Sequence, residues 1–255
     1  MRLDTYLVEN NYFESRNKAS WSILHSEVLV NDKIINKPSF TVGENSVVKV
    51  NRGENYVSLG GFKMKKALDD FNFDVNGLVV GDIGASTGGF TDCVLRHGAK
   101  KVYAVDLNDE LLHSSLKLDE RVIPIIKNAR ELSKLDFIDS LDLVVCDLSF
   151  ISSSIFLPIL SHIIDNEKHI ILLIKPQFEA NEKKRYKNGI IRDDKIHKQT
   201  INSVVNTAIS NGLIPIDITS APISQDKNRE FLILLKKSND PNISFNEKVE
   251  KLFVK

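Results

Sequence analysis

Residues 79–90 read VVGDIGASTGGF, a β-branched run that ends in an acidic residue and a glycine-rich turn. Such a run, followed by Gly84, Gly88 and Gly89 and then by a new apolar pattern, is typical of a parallel strand that turns into a crossover helix. The stretch predicts an α/β sheet with a ligand beyond the carboxyl end of this strand. It does not by itself identify the ligand.

The surrounding chain repeats this alternation of strand and helix. The apolar, strand-like runs are LVVGDIG, KVYAVDL, VIPIIK, LDLVVCDLSF and HIILLIKPQF. Continuous apolar strands separated by helices predict a parallel sheet that is covered on both faces. The last two runs, PIDITSAP and REFLILLKK, are separated only by a loop, so we expect them to pair antiparallel at the sheet edge. The prediction is a seven-stranded, mostly parallel α/β sheet.

The first part of the chain has a different pattern. Two short helical patterns, RLDTYLVEN and SRNKASWSIL, precede three short strand-like runs, which indicates a small α+β module. Ser15 is placed to cap the second helix, and Ala19 with Ile23 gives that helix an apolar face. The polar stretch NRGENYVSLGG is the natural linker. The predicted organisation is a small domain with its linker at 1–58, an α/β domain at 59–240 and a C-terminal tail at 241–255.

The composition argues against several classes of protein. The 34 basic and 34 acidic residues cancel, so a nucleic-acid partner has to be met by a local basic surface. Cys93 and Cys146 lack metal-ligand spacing, which predicts buried free thiols and no metal site. The N-terminus is too charged for a signal peptide, and the longest segment without Asp, Glu, Lys or Arg has 18 residues, fewer than the ~20 that a bilayer span needs. We expect a cytoplasmic protein without a membrane span.

The glycine-rich turn differs from a dinucleotide fingerprint. In GxGxxG the second glycine lets the backbone approach a pyrophosphate, but Ser86 occupies that position here. Asp82 stands where it would repel a pyrophosphate, which favours S-adenosylmethionine, a ligand with an ammonium and a sulfonium. Asp106, at the end of the next strand, is placed to accept hydrogen bonds from ribose hydroxyls of either ligand. The alternative is that the glycines serve only strand-to-helix packing.

Seven motifs follow one another along the chain: SRNKASWSILHSEVLVND, YVSLGGFK, DIGASTGGFT, CDLSFIS, LIKPQFE, NGIIRDD and NREFLILL. In this order they resemble the hemolysin A (TlyA) family, and the resemblance covers nearly the whole chain. It implies an S4 RNA-binding domain joined to an FtsJ-like (RrmJ-like) methyltransferase domain with the class I, Rossmann-like fold. Such proteins methylate ribose 2′-hydroxyls of ribosomal RNA.

The resemblance therefore implies an S-adenosylmethionine-dependent 2′-O-methyltransferase whose partner is ribosomal RNA or a ribosomal subunit. Cytidine is the expected base. Large-subunit RNA is the favoured substrate, because no basic extension precedes the first helix. The predicted cofactor-binding residues are Asp82, Gly84, Ala85, Ser86, Gly88, Gly89, Phe90, Asp106, Asn128 and Asp147.

The resemblance also implies a catalytic tetrad of Lys63, Asp147, Lys175 and Glu230. A ribose hydroxyl is a poor nucleophile near neutral pH, so it has to be held in line with the methyl group while charge on its oxygen is stabilised. Lys175 is expected to do this either as a neutral base or as an ammonium that orients the hydroxyl, with Asp147 as its anchor. No metal is required.

Each tetrad residue has a structural alternative. Lys65 and Lys66 lie close to Lys63 and compete with it for the first position. Glu230 is assigned by its place at the start of the last strand. Asp147 could instead cap the helix that begins at serines 152–154, and a lysine at a strand or helix end is commonly solvated.

Three further groups are candidates for RNA contact. Resemblance to S4 domains implies Arg2, Arg16 and Lys18 at helix starts, where a solvated helix face is the alternative. Three planar side chains could either stack on a flipped-out nucleotide or belong to the core: Phe150, Gln177 and Phe178. A basic insertion is either a solvated loop or a phosphate contact, and it carries Lys183, Lys184, Arg185 and Lys187.

Three other functions stay open from the sequence. One is a ribosome-assembly protein that binds RNA without turnover, which the intact tetrad disfavours. Another is a hemolysin, for which we expect an indirect action because no strongly basic amphipathic helix is present. The last is an NAD oxidoreductase, which Ser86 disfavours.

Overall fold

The computed structural model describes residues 1–24, 27–31, 33–43, 45–50, 56–149, 152–179, 189–222, 227–238 and 245–254. The chain forms two compact units, Met1–Leu59 and Gly60–Lys255. Some residues considered for RNA contact lie outside the described residues, namely Phe150, Lys183, Lys184, Arg185 and Lys187.

The first unit packs two helices against a small antiparallel sheet. Its elements are α1 (Leu3–Glu9), α2 (Arg16–Leu24), β1 (Val28–Val30), β2 (Lys33–Ile34) and β3 (Val48–Val50), with strand order β2-β1-β3. Ala19 and Ile23 are completely buried, as the helical pattern predicts, and they pack with Leu3 and Leu7 of α1. The backbone carbonyl of Ser15 accepts the Ala19 N–H at 3.0 Å at the start of α2. The predicted α+β module is therefore confirmed.

The second unit is a sheet with helices on its faces. Its helices are α3 (Leu59–Phe71), α4 (Gly89–Arg96), α5 (Ser114–Lys117), α6 (Ser153–Ile163), α7 (Pro176–Glu179), α8 (Asp194–Ser210) and α9 (Asn246–Lys251). Its strands are β4 (Val79–Ile83), β5 (Lys101–Asp106), β6 (Val122–Ile126), β7 (Leu143–Cys146), β8 (His169–Ile174), β9 (Leu213–Ser220) and β10 (Phe231–Lys237). In the described residues these strands form one seven-stranded sheet, in the order β6-β5-β4-β7-β8-β10-β9.

Strand direction confirms the predicted fold class. Strands β4 to β8 run parallel to one another, while β10 lies antiparallel between β8 and β9. The antiparallel pairing of β9 with β10 was predicted, and β9 is the edge strand. The strand order reverses at β4 and β7, which is where open α/β sheets bind their ligands. In the described part of the chain, no helix has the length and apolar character needed to cross a membrane.

The helix predicted around ELLHSSLK is shorter than expected. The ring of His113 accepts the Ser115 N–H at 3.3 Å, so α5 begins only at Ser114. Leu112 and Leu116 are both buried, whereas Leu111 and Leu118 are exposed. The spacing of Leu112 and Leu116 therefore arises from packing of a turn and a short helix, and not from one continuous helix.

Candidate active site

Strand register brings the predicted tetrad to one edge of the sheet. Phe231 of β10 pairs with Ile174 of β8, so the residues just beyond them, Glu230 and Lys175, leave the sheet side by side. Cys146 of β7 pairs with both Ile83 and Leu172 of its parallel neighbours. Asp147 therefore follows its strand at the same edge.

Lys63 and Glu230 form the first of two ion pairs at this edge. Lys63 Nζ donates to Glu230 Oε2 at 2.6 Å, and the two side chains are only 22% and 16% exposed. Lys65 and Lys66 instead pair with the acidic residues four positions further along α3, Asp69 and Asp70. The geometry thus favours Lys63 over its neighbours as the member of the tetrad.

Lys175 and Asp147 form the second ion pair. The Lys175 side chain is 10% exposed, and its Nζ contacts Asp147 Oδ1 and donates to Ser149 Oγ at 2.8 Å. An ammonium has three N–H donors, so donor capacity remains for a substrate oxygen after these two contacts. Ser149 was not singled out in the sequence, where the only available signal was its place two residues after Asp147 at the end of β7.

The start of α6 is held by a different acid from the one considered. Ser152 Oγ donates to Glu179 Oε2 at 2.8 Å, and the Ser153 N–H donates to Glu179 Oε1 at 2.8 Å. The alternative that Asp147 caps this helix is wrong, because Glu179 of α7 occupies that position while Asp147 pairs with Lys175. Glu179 therefore fixes the segment that follows Lys175 against α6.

Gln177 of α7 contacts the other ion pair. Its Nε2 lies 3.5 Å from Glu230 Oε1. Because α7 begins directly after Lys175, this helix lies next to both ion pairs. Gln177 and Phe178 are both half-buried. Neither side chain is thus fully enclosed in the core.

The glycine-rich turn packs directly against the strand end that carries Asp147. Gly84 has a φ of +86°, and a Cβ at this position would lie 2.7 Å from the Asp147 carbonyl oxygen. Gly88 has a φ of +88°, and a Cβ there would lie 2.2 Å from Leu116 Cδ1. Packing alone accounts for these two glycines, so the support for a ligand has to come from the side chains around the turn.

Asp82 is a buried carboxylate beneath this turn. Its Oδ2 accepts the Thr91 N–H at 3.0 Å and the Thr91 hydroxyl at 2.6 Å, while its Oδ1 is buried without a hydrogen-bond partner among the residues that the structure describes. Burial raises the pKa of Asp82 to about 7. A buried acceptor that lacks a partner is costly, and next to a cofactor turn it fits a cationic ligand better than a pyrophosphate.

A cleft of about 220 Å³, open to solvent, lies beyond the ends of β5 and β6. Its lining includes Ala85, Ser86 and Asp106 on one side and Pro124 to Ile126 on the other. Asp106 accepts the Ser86 N–H at 2.8 Å and the Leu107 N–H at 2.7 Å. Each carboxylate oxygen has a second lone pair, so Asp106 can also accept hydroxyl donors from a ribose. The cleft therefore places a hydroxyl acceptor, Asp106, beside an apolar wall.

Three other predicted cofactor residues take supporting positions. Asn128 accepts the Arg130 N–H at 3.0 Å and caps a 3₁₀ turn, Ala129–Glu131, next to the cleft without lining it. Gly89 is the first residue of α4, and Phe90 is 3% exposed. Gly89 and Phe90 are therefore buried at the start of α4, whereas Asn128 is exposed beside the cleft.

The predicted RNA-contact residues of the first unit differ in how they are held. Arg2 and Arg16 both pair with Asp4, at 2.9 Å each. Lys18 pairs with Glu14 at 2.6 Å, one helical turn away. Glu14 is 83% exposed, and exposed pairs of this kind contribute little.

Comparison with known proteins identifies both units. The model of the FtsJ-like methyltransferase family matches residues 56–238, and the S4 domain model matches residues 1–48. Hemolysin A of Brachyspira hyodysenteriae is 40% identical over 91% of this chain and 98% of its own length. The 16S/23S rRNA (cytidine-2′-O)-methyltransferase TlyA of Mycobacterium tuberculosis is 32% identical over 95% of this chain and 92% of its own length.

A solved structure gives the same result over the whole chain. A Streptococcus thermophilus protein described as a hemolysin is 34% identical, covers 99% of this chain and 95% of its own, and superposes with a TM-score of 0.74. The family expected from the sequence motifs is confirmed. The chain therefore belongs to the hemolysin A (TlyA) family of FtsJ-like methyltransferases, enzymes that use S-adenosylmethionine, and it carries an S4 domain before the catalytic unit.

Proposed function

We propose that this methyltransferase modifies the ribose 2′-hydroxyl of a cytidine in ribosomal RNA in the cytoplasm. The observation that carries the proposal is the convergence of two ion pairs, Lys63–Glu230 and Lys175–Asp147, beside the glycine-rich turn. The Mycobacterium tuberculosis relative is named for this reaction on 16S and 23S rRNA. Large-subunit RNA is the substrate that we favour, and the experiment below tests it against small-subunit RNA.

Lys175 holds the reacting hydroxyl in this proposal. When bound, S-adenosylmethionine supplies an electrophilic methyl group. Lys175 contacts the Asp147 carboxylate as well as the Ser149 hydroxyl, and a carboxylate at contact distance favours the charged partner. The ammonium role, in which Lys175 orients the hydroxyl oxygen and stabilises the charge that develops on it, therefore has the better support. The hydroxyl proton would leave toward the Asp147 carboxylate as the O–C bond forms and the methyl–sulfur bond of the cofactor breaks, with a neutral thioether as the leaving group.

Lys63 and Glu230 position the target nucleotide. Their ion pair is only partly exposed, so its charges act in a region with less solvent screening than the protein surface. A pair of this kind offers one donor and one acceptor at fixed places, which is suited to orienting a ribose. Gln177 and Phe178 lie on the adjacent α7 and are candidates to contact the nucleotide base.

The cofactor residues follow from the turn and the cleft. Asp106 accepts the ribose hydroxyls of the nucleoside portion, and the loop from Gly84 to Gly88 surrounds the methionine portion. Asp82 offers a buried carboxyl oxygen below that loop. In this proposal these residues bind the cofactor, and no metal ion takes part.

A methylation assay tests the proposal. Purified full-length protein is incubated with unmodified 30S and 50S subunits and labelled S-adenosylmethionine, and labelled RNA fragments are mapped by mass spectrometry. Lys175→Ala is compared with Lys168→Ala. Lys168 precedes the other end of β8, where it pairs with Asp142 and is 39% exposed.

We expect a cytidine ribose methyl in 50S RNA that is lost in Lys175→Ala and kept in Lys168→Ala. Labelling of 30S alone would overturn the preference for the large subunit. No labelling of either subunit, with the cofactor still bound in a separate titration, would support a binding-only role in ribosome assembly. Haemolysis, where expression of the chain causes it, is expected to depend on Lys175 as well.

A further inference from the structure

A buried carboxylate lies beneath two exposed arginines in the first unit. Asp4 is 2% exposed, whereas the side chains of Arg2 and Arg16 are 51% and 60% exposed. Arg2 Nε and Nη2 donate to Asp4 Oδ1 and Oδ2 at 3.0 and 2.9 Å, and Arg16 Nη2 donates to Oδ2 at 2.9 Å. One side chain therefore fixes two cations that lie on different elements of the unit.

The charge state of this cluster follows from its contacts. The hydrogen bond from Arg2 holds the pKa of Asp4 well below its usual range, and Arg16 acts in the same direction. Asp4 is therefore ionised at any physiological pH, and the three side chains together carry a net positive charge. Each guanidinium has five N–H donors, and most of them are not used by Asp4.

We propose that Asp4 is a positioning residue that assembles Arg2 and Arg16 into one phosphate-binding site for the backbone of a folded RNA. This inference rests on the proposed function, since it assumes an RNA substrate. Planar guanidinium groups suit phosphate oxygens, which they bind through paired N–H donors. Holding both groups in place before binding lowers the entropy lost when the complex forms.

Lys18 provides a contrast within the same unit. Its only described ion pair joins it to Glu14 on an exposed surface, at a spacing of one helical turn. Glu14 has none of the burial that makes Asp4 a fixed anchor. Glu14→Gln is thus a matched control that also removes one carboxylate next to a predicted RNA contact.

The direction of the effect separates positioning from simple charge. Asp4→Asn removes a negative charge beside two arginines, so a purely electrostatic model predicts tighter RNA binding. The positioning model predicts weaker binding, because an amide oxygen at the Oδ2 place keeps only uncharged hydrogen bonds to the two arginines, while its NH₂ group cannot accept from Arg2 Nε. The two models therefore differ in sign.

The experiment measures the affinity of the full-length protein for a fluorescent ribosomal RNA fragment over a range of salt concentrations. Arg2→Ala and Arg16→Ala are each expected to weaken binding roughly tenfold and to reduce the salt slope by about 1. Asp4→Asn is expected to weaken binding roughly fivefold to tenfold, with little further loss when it is combined with Arg2→Ala. Glu14→Gln is expected to leave affinity within about twofold of wild type.

One result would overturn the proposal: the Asp4→Asn protein binds RNA at least as tightly as wild type, while the Arg2→Ala protein binds it more weakly. Circular dichroism and cofactor titration check that each variant is folded. If Asp4→Asn does not fold, Arg2→Lys and Arg16→Lys decide the matter, because they keep the charge but lose the planar fork. Wild-type affinity in both lysine variants would overturn the proposal, and weaker binding at an unchanged salt slope would support it. Wild-type protein that fails to bind RNA would contradict the proposed function instead.

Discussion

Lys63 and Glu230 meet at 2.6 Å although 167 residues of sequence separate them. The contact exists because α3 precedes the sheet while β10 enters it antiparallel to β8, which places Glu230 beside Lys175. The second ion pair, Lys175 with Asp147, uses the ends of two parallel strands. Strand register therefore brings together Asp147, Lys175 and Glu230, while α3 supplies Lys63. The two ion pairs can be tested separately.

Replacing Lys63 should affect catalysis, whereas replacing Lys65 should not. Lys63→Ala leaves Glu230 partly buried without its cation, so we expect kcat to fall roughly 100-fold, the size of effect found when one preorganised charged or polar group is removed from an active site. Lys65 pairs with Asp69 on a more exposed part of α3, where ion pairs contribute little. Single-turnover methylation of both variants checks this. Equal losses in the two variants would mean that the first tetrad position is misassigned.

Ser149 should influence turnover through Lys175. Ser149→Ala removes the 2.8 Å hydrogen bond to Lys175 Nζ, and hydrogen bonds to charged groups contribute about 1.5–3 kcal/mol. We expect kcat to fall about tenfold with unchanged KM for both substrates, and Ser149→Thr to restore it. Ser203→Ala, at an exposed position of α8, is the control. A lower cofactor affinity in Ser149→Ala with normal kcat would argue against this role.

Gly84 should tolerate a side chain less well than a glycine of similar conformation. Gly77→Ala and Gly84→Ala both force alanine into a positive φ, but a Cβ at Gly77 meets open space while one at Gly84 lies 2.7 Å from the Asp147 carbonyl. We expect Gly77→Ala to cost about 1 kcal/mol. Gly84→Ala should cost more and should also weaken cofactor binding. Urea unfolding and cofactor titration measure both, and equal effects would show that the turn yields to the extra atom.

The ionisation of Asp82 should make stability depend on pH in an unusual direction. Burial raises the pKa of Asp82 to about 7 in the folded state, above about 3.9 in the unfolded chain. The folded protein thus holds this proton more tightly, and the associated stability is complete below about pH 4 and is lost as the pH rises toward 7. Asp82→Asn keeps an acceptor for Thr91 but cannot ionise.

The measurement is the difference in unfolding free energy between wild type and Asp82→Asn, in which the contributions of other carboxylates cancel. We expect this difference to move against wild type by up to about 1.4 kcal/mol per pH unit between about pH 4 and pH 7. Parallel pH curves for the two proteins would contradict the raised pKa.

Local pattern was enough to predict the fold of the second unit. The apolar runs that became β4, β5, β7 and β8 are continuous, as expected for buried parallel strands, whereas β6 at the sheet edge alternates in exposure. The loop between the last two runs indicated the antiparallel pairing of β9 with β10. The choice among Lys63, Lys65 and Lys66 could not be made this way, because it depends on which face of α3 is turned toward β10. Glu179 was missed for a similar reason, since it caps a helix 26 residues earlier in the chain.

The contacts of Asp4 in the first unit could not be predicted from the sequence either. Arg2 and Arg16 could be proposed from resemblance, but Asp4 lies between them in sequence with no local signal that it contacts both. Its role depends on the packing of α1 against α2, which brings Arg16 within reach across 12 residues. Long-range side-chain contacts of this kind are set by tertiary structure and not by periodicity.

The antiparallel insertion of β10 also sets the time at which activity can appear. Contacts between distant parts of a chain form late, because closing long loops costs entropy before the contacts compensate for it. Helices and the parallel strands β4 to β8 can assemble while residues 213–237 are still outside the sheet, but Glu230 then has no place beside Lys63. A refolding chain is therefore expected to regain its helical signal before its methyl transfer, which makes turnover a late marker of complete folding.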